Sequence, residues 1–208
     1  MTANKDTIVS WLADLSGAIV VDVDDQSDIA NRLGVAAELD ASGFASEAMD
    51  LTRIIAESVD ASASFDRLSP PSTLGAGDTI DAINVLLALA LSVAACRVDW
   101  PSRPLARNAR RRISEAGDVG LAVATDMGGD GAALYAWLSS VVDVACRLVS
   151  DQAANAVPIV RVETGISQPS TVLAYRLYGN ASRAASLVDI AAAATPMVMP
   201  SSFDALAS

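Results

Sequence analysis

The sequence contains no histidine, so the most common catalytic base is missing from its chemistry. This excludes serine–histidine–aspartate and cysteine–histidine catalysis, as well as zinc sites with histidine ligands. The two cysteines, Cys96 and Cys146, lie 50 positions apart inside apolar helical patterns, which indicates buried thiols rather than a cysteine-rich metal site. A disulfide between two helices is the alternative. We expect neither a metal nor another cofactor.

Acidic side chains are the second group that could do chemistry, with 25 Asp and Glu against 14 Lys and Arg. Two carboxylates suffice for glycoside hydrolysis, but no acidic pair lies beside an aromatic cluster that could raise its pKa or bind a sugar. The segment 22–28 begins like a calcium loop, yet Ser27 and Leu33 stand where that loop needs glycine and glutamate. We interpret the segment as an acidic loop ending in a helix N-cap, and predict that the protein is not an enzyme.

Arginines are the third group, with six of them and one aspartate in residues 97–112. Arg107 lies four positions after Arg103, and Arg110 and Arg111 lie three and four positions after Arg107, so these four are expected to share a helical face. Arg112 lies off this face. The cluster Arg97–Arg112 could bind phosphates, but no lysine joins it and no aromatic residues interleave for base stacking. Residues 1–81 carry a large acidic surplus, so an acidic face of this chain or of an adjacent copy is the expected partner, with nucleic acid as the alternative.

The elements that position these groups are expected to be helices. Hydrophobic residues make up 52% of the chain but aromatic residues only 4%, and such an aliphatic, alanine-rich composition favours helix. An all-β domain would need more Val, Thr, Tyr and Phe. The N-terminus lacks the pattern of a signal peptide. The most apolar stretch, 82–96, is shorter than the roughly 20 residues that span a bilayer, so no membrane span is expected.

Apolar periodicity predicts helices at residues 7–20, about 28–39, 43–60, 78 to about 100, 103–126 and 131–155. Residues 20–24 alternate like a short strand or a frayed helix end, 61–77 read as a linker, and Asp78 is the predicted N-cap of the apolar helix. Long helices joined by short turns imply antiparallel neighbours in a bundle.

Two of these helices carry clear apolar stripes. The residues of 103–126 expected to face inward are Leu105, Ala109, Ile113, Ala116 and Val123. Those of 131–155 are Leu134, Leu138, Val141, Ala145 and Leu148. We expect both stripes to lie in the core of the bundle.

The pattern changes after Pro158. Residues 159–163 alternate like a strand, two short helices are predicted at about 170–178 and 181–193, and the chain closes with a polar tail. The sequence therefore predicts three parts: an acidic helical segment at 1–68, a central helical bundle at 78–156 and a small α/β unit at 157–208.

The stretch 169–189, followed by Pro196 and Pro200, resembles the C-terminus of the Mu-like phage DNA circularisation (DNA circulation) proteins. The directly matching residues are Ala174, Tyr175, Arg176, Leu177, Tyr178 and Gly179, with Arg183, Leu187 and Val188 in the next helix. Asn180 stands where the family has aspartate, and 190–196 replace its Arg-Asn and His-Pro pairs. The family's β-rich N-terminal domain has no counterpart in these 208 residues.

The resemblance implies a LysM-like C-terminal unit in a virion tail or baseplate protein that is assembled in the host cytoplasm. The implied interaction residues are Tyr175, Arg176, Leu177, Tyr178, Gly179, Asn180 and Arg183. The implied partners are copies of the chain and other tail proteins of the hub or tube, and the expected mechanism is subunit assembly. The alternatives are a DNA-binding protein that uses the arginine cluster and a protein that binds or degrades the cell wall.

Overall fold

The structure, a computed structural model, describes residues 3–72 and 74–207. This part of the chain is mainly helical, with nine helices and a small two-stranded sheet, which confirms the predicted fold class at that level. The chain divides into two compact units. The larger comprises Met1–Trp100 and Ala106–Gln152, and the smaller comprises Pro101–Leu105 and Ala153–Ser208.

Three capped helices begin the larger unit: α1 (Lys5–Ile19), α2 (Val23–Ala36) and α3 (Ala41–Glu57). The side chains that accept hydrogen bonds from their first-turn amides are those of Asn4, Asp22 and Asp40. Because Asp22 caps α2, that helix begins at Val23 rather than near residue 28. The interpretation of 22–28 as a loop is therefore wrong, and residues 20–24 form no strand.

The predicted linker 61–77 contains a short helix, α4 (Ser62–Asp66), which buries Phe65. α5 (Asp78–Ala95) follows, and its N-cap is Gly77, so the predicted cap at Asp78 is wrong by one position. α5 ends at Ala95, earlier than predicted, and the indole nitrogen of Trp100 donates to the Ala95 carbonyl at 3.1 Å.

α5 forms the core of the larger unit, since most of its residues from Ile83 to Ala95 are buried. α3 packs against α5. The segments 1–68 and 78–156, which the sequence analysis treats as separate parts, consequently lie largely within one unit.

Most of two long helices lies in that unit: α6 (Arg103–Asp126) and α7 (Ala132–Asn155), which are joined by a 3-10 turn at Gly128–Gly131. The first three residues of α6 and the last three of α7 belong to the smaller unit. The bounds of α6 match the prediction. The buried residues of α6 are Ala106, Ala109, Ile113, Gly117, Gly120 and Ala124, whereas those of α7 are Leu138, Val142, Ala145 and Val149. The prediction is confirmed for Ala109 and Ile113 of α6 and for Leu138 and Ala145 of α7, whereas the other three predicted residues of each helix are not buried, so both buried stripes are rotated in part from the predicted ones.

Glycines explain the rotation of α6. A Cβ atom on Gly117 would lie 2.8 Å from Cγ1 of Val142, and one on Gly120 would lie 3.0 Å from Cδ2 of Leu138. α6 therefore packs against Leu138 and Val142 of α7 through glycines, which carry no hydrophobic signal in the sequence. The turn is equally tight, because a Cβ atom on Gly131 would lie 1.9 Å from the carbonyl oxygen of Ala124.

The smaller unit contains β1 (Ile159–Glu163), α8 (Ser170–Tyr178), α9 (Ala184–Ile190) and β2 (Ser202–Leu206). β1 and β2 pair antiparallel, from Ile159 opposite Leu206 to Glu163 opposite Ser202. The predicted polar tail is therefore wrong, since it contains a strand. The core of this unit consists of Leu173, Ala174, Leu187, Met199, Phe203 and Ala205.

Two helices among the described residues are long and apolar enough to cross a membrane by length and composition alone. In α5, 61% of the 18-residue apolar stretch is buried inside the protein, as expected of a core helix. In the second, Gly128–Asn155, which includes α7, only 22% of the most apolar 18-residue stretch is buried. α7 is therefore an apolar helix of which only a minority of residues are buried.

Candidate interaction surfaces

The arginine face predicted from the sequence divides into residues with different surroundings. Arg103 donates to the carbonyls of Ala154 and Ala156 at 3.2 and 3.1 Å. Arg111 pairs with Glu115 at 3.5 Å. Arg107 and Arg110 are exposed and form no ion pair with residues 3–72 or 74–207. The ion pair of Arg111 offsets one positive charge of this face, whereas Arg103 keeps its charge while it is bonded to neutral carbonyls.

Arg112, outside the predicted face, makes more contacts within the chain than any of these four. It pairs with Asp66 at 2.8 Å, donates to the Leu68 carbonyl at 2.7 Å and lies over the Phe65 ring. The Phe65 ring in turn meets Trp100 edge to face, with 5.3 Å between centroids. Arg112 thus attaches α4 and the following residues to α6.

An ion-pair network between α2 and α3, which the sequence analysis missed, neutralises part of the N-terminal acid. Arg32 binds Glu47 and Asp50, each at 2.7 Å, and Arg53 binds Asp50 and Glu57, also at 2.7 Å. Hydrogen bonds from Arg32 and then Arg53 hold the pKa of Asp50 below its usual value. The spacings Asp50–Arg53 and Arg53–Glu57 were the available signal. The network engages Glu47, Asp50 and Glu57, three of the 15 acidic residues in 1–81, and so neutralises only part of the charge of that segment.

The outer surface of α7 carries apolar residues that the described part of the chain leaves partly uncovered. Five residues spaced by three and four positions form it, and we call them the α7 stripe: Leu134, Trp137, Val141, Val144 and Leu148. Trp137 is 42% exposed, Val144 49% and Leu148 46%, while the other two are half-buried. Three of the five residues expected in the core, Leu134, Val141 and Leu148, thus belong to this outer stripe.

A shallow groove of about 420 Å³ runs along the middle of the α7 stripe. Its lining includes Val93, Cys96 and Arg97 of the α5 end, Glu57 of α3, and Val141 and Val144 of α7. The groove has apolar walls, with one acid and one base at its rim.

The two cysteines, Cys96 and Cys146, are free thiols with partly exposed side chains. Burial raises the pKa of each thiol.

The C-terminal motif places its residues around the turn between α8 and α9. Gly179 has φ 68° and ends α8, as the predicted turn requires. The side chain of Asn180 accepts from the Ser182 amide at 2.9 Å. Leu177 packs on the core of the unit, and the Tyr178 hydroxyl accepts from the Leu206 amide at 3.0 Å. These residues hold the unit together.

The remaining motif residues lie on the surface. Tyr175 is 65% exposed, and Arg176 donates to the Gln168 side chain at 2.9 Å. The guanidinium of Arg183 lies 5.0 Å from the centroid of the Tyr178 ring. Tyr175 and Arg176 are thus the motif residues best placed to meet a partner.

Among the described residues, no group of three or more Cys, Asp or Glu is arranged to hold a metal ion. The segment 22–28, which begins like a calcium loop, is occupied by the Asp22 cap and the first turns of α2. No protein-family model matches the chain, and no curated protein matches it.

Proposed function

We propose that the chain is a structural component of a phage tail or baseplate and acts by subunit assembly around the tail hub or tube. The observation that supports the assembly role is the α7 stripe, since a contiguous exposed apolar patch is typical of a surface that another molecule covers. Scattered exposed apolar residues would need no such explanation, but a continuous stripe on one helix does.

The tail assignment rests on the C-terminal motif and its resemblance to the DNA circularisation proteins. We propose that this unit is LysM-like. Support comes from the order of its elements, in which α8 and α9 lie between two strands that pair with each other, and from the Gly179 turn between the helices. Tyr175 and Arg176 are the residues that we assign to contact with a neighbouring protein.

Mass spectrometry of purified virions tests this function. We expect the chain in the particles in amounts comparable with other tail proteins, and we expect deletion of its gene to yield particles with incomplete tails. Complete, infectious particles that lack the chain would overturn the proposal.

DNA binding is the second candidate, and it is favoured because Arg107 and Arg110 form no ion pair within the described part of the chain. It predicts salt-sensitive retention of duplex DNA that is lost when Arg107, Arg110 and Arg111 become alanine. The matched control is Arg32→Ala together with Arg53→Ala, which removes cations already neutralised by acids. Equal retention by all variants, or none by the unmodified chain, rejects DNA binding.

A further inference from the structure

We propose that the exposed arginines of α6 dock on the acidic face of α2 of a second copy, so that copies of the chain join head to tail. This inference rests on the proposed assembly function and names one contact through which that assembly takes place. Because the contact joins two different faces, it leaves one face of each kind open, and it builds a ring or an open chain rather than a closed pair.

The acidic face of α2 has no cation of its own. Residues 6–31 contain six aspartates and no lysine or arginine. The flanking cations are engaged elsewhere, since Lys5 donates to a backbone carbonyl and Arg32 is held by two acids of α3. Asp24 and Asp28 lie four positions apart on the helix, are exposed, and form no ion pair within the described part of the chain. Their charge is therefore available to a partner.

Exposed valines lie among these acids. Val21 is 86% exposed and Val23 74%, which makes them the two most exposed of the large apolar residues that the structure describes. Val35, on the same side of α2 as Asp24 and Asp28, is 63% exposed. A purely charged surface is commonly left to solvent, but apolar side chains set among charges are typical of a surface that another protein covers. We call these five residues the α2 face.

The arginines of α6 supply the complementary charge. Arg107 and Arg110 are exposed and, like the acids of the α2 face, form no ion pair within the described residues. Three helical positions separate these arginines by about 4.5 Å along the axis, and four positions separate Asp24 from Asp28 by about 6 Å. Both charges of each helix can consequently meet when α6 of one copy lies beside α2 of the next. The aliphatic stems of the arginines then cover the valines while the guanidinium groups reach the carboxylates.

A second copy is the occupant that both faces indicate. Each face lacks a partner inside its own chain, and each finds the opposite charge on an identical chain. The net charge of −11 opposes the approach of two copies, but at physiological ionic strength charges more than about 8 Å apart are largely screened. The charges within the contact therefore decide whether it is attractive. Exposed ion pairs are individually weak, so we expect a weak contact that strengthens when a ring closes.

The first experiment reverses the charge of each face in the full chain. One variant carries Arg107→Glu with Arg110→Glu, and the other carries Asp24→Lys with Asp28→Lys. We expect the unmodified chain to associate with rising concentration in sedimentation equilibrium, above its monomer mass of 21.4 kDa. Each variant alone should show a Kd at least about 30-fold higher, because like charges then face each other across the contact.

An equimolar mixture of the two variants should recover the association to within about threefold of the unmodified Kd, because the reversed faces attract each other and the unmodified faces also meet. Net charge cannot explain such recovery. Each reversal changes the charge by two, so the variants carry −15 and −7 instead of −11, and both remain negative. A monomeric unmodified chain, or a mixture that stays monomeric while both variants keep the thermal melt of the unmodified chain, overturns the proposal.

Neutralising substitutions keep the proposal testable where a reversal unfolds the chain. Arg107→Gln with Arg110→Gln, and Asp24→Asn with Asp28→Asn, remove the attraction without introducing repulsion. Each pair should raise the Kd at least about fivefold. Association of either variant equal to that of the unmodified chain overturns the proposal.

Matched controls separate the contact from general effects. Asp14→Lys with Asp189→Lys makes the same change in net charge at exposed acids outside the α2 face and should leave the Kd within about twofold. Val21→Ser with Val23→Ser should raise the Kd at least about fivefold by removing apolar contact. Val198→Ser, at a valine that is 60% exposed in the smaller unit, should not. Equal effects of a test pair and its control contradict the contact.

Duplex DNA supplies the last arm, because it would compete for the same arginines. A variant with Arg107→Glu and Arg110→Glu that loses DNA binding but keeps self-association would assign the arginines to nucleic acid and overturn the inference. Failure of the inference is distinguishable from failure of the proposed function. A monomeric chain that is nevertheless present in virions rejects the head-to-tail contact alone, whereas an associating chain that is absent from virions rejects the tail role alone.

Discussion

The guanidinium of Arg112 lies 4.8 Å from the centroid of the Phe65 ring, and the same group donates to the Asp66 carboxylate and the Leu68 carbonyl. Phe65 itself is 1% exposed and stacks edge to face on Trp100. One arginine therefore closes the surface over a buried aromatic pair. The region that the sequence presents as a linker is held to α6 by this contact.

We expect Arg112→Ala to lower the free energy of unfolding by about 1–3 kcal/mol, because it leaves a carbonyl unpaired and uncovers the Phe65 ring. Arg112→Lys should recover only part of this loss, since an ammonium cannot reproduce the guanidinium fork. Urea denaturation followed by tryptophan fluorescence measures both. Arg107→Ala is the control and should change stability by less than about 0.5 kcal/mol; a similar loss in that control would contradict the role of Arg112.

Two glycines with opposite surroundings give a second prediction. Gly117→Ala should destabilise the protein by about 1–3 kcal/mol, because the new methyl group meets the stiff Val142 side chain at 2.8 Å. Gly17→Ala in α1 has no atom within 4 Å of the new methyl group and should stabilise by about 0.5–1 kcal/mol. Thermal melts compare the pair directly. A stabilising Gly117→Ala would show that α6 and α7 lie further apart.

The Asp50 network gives a pH dependence. Because the folded pKa of Asp50 is lowered by Arg32 and Arg53, its stabilising contribution is fully present above the unfolded pKa, about 3.9, and is lost as pH falls through the lower folded value. Asp50→Asn should remove the part of the stability loss at low pH that comes from protonation of Asp50. The effect should stay below about 1 kcal/mol, since these pairs are solvent-exposed.

Unfolding curves between about pH 5 and pH 2 measure that dependence. The control is Asp14→Asn, because Asp14 is exposed and forms no ion pair with the described residues. Identical pH profiles for Asp50→Asn and the unmodified chain would show that the network contributes nothing at equilibrium.

The Tyr178 hydroxyl supports the fourth prediction. Tyr178→Phe removes the acceptor of the Leu206 amide, so exchange of that amide should accelerate and the smaller unit should lose about 1 kcal/mol. Tyr175→Phe, at a side chain that is 65% exposed, should leave both quantities unchanged. Hydrogen exchange read by NMR resolves the single amide, and unchanged protection of Leu206 in Tyr178→Phe would refute the contact.

Sequence patterns predict the helices better than their buried faces. The bounds of α6 follow from Pro101 before it and the glycine-rich turn after it, both of which are local signals. The rotation of its stripe was missed because packing through Gly117 and Gly120 depends on how closely α7 approaches.

In the candidate surfaces, too, local sequence predicts some features, whereas others depend on contacts between distant residues. The α8–α9 turn at Gly179 follows from the residue alone, since glycine adopts a positive φ without strain. β2 was missed because Ser202–Leu206 is short and becomes a strand only through its pairing with β1. Whether an arginine forms an ion pair depends on residues far away in the sequence. Arg112 binds Asp66, 46 positions away, whereas Arg107 forms no ion pair among the described residues.

The turn between α6 and α7 constrains how far this sequence can drift. Any side chain at position 131 would collide with the backbone of Ala124, where no rotamer change can relieve the contact. A distant relative that keeps this hairpin must therefore keep glycine there, even after its surface residues have all been exchanged. That glycine, placed between two long amphipathic helices, is a physical fingerprint by which such relatives can be sought.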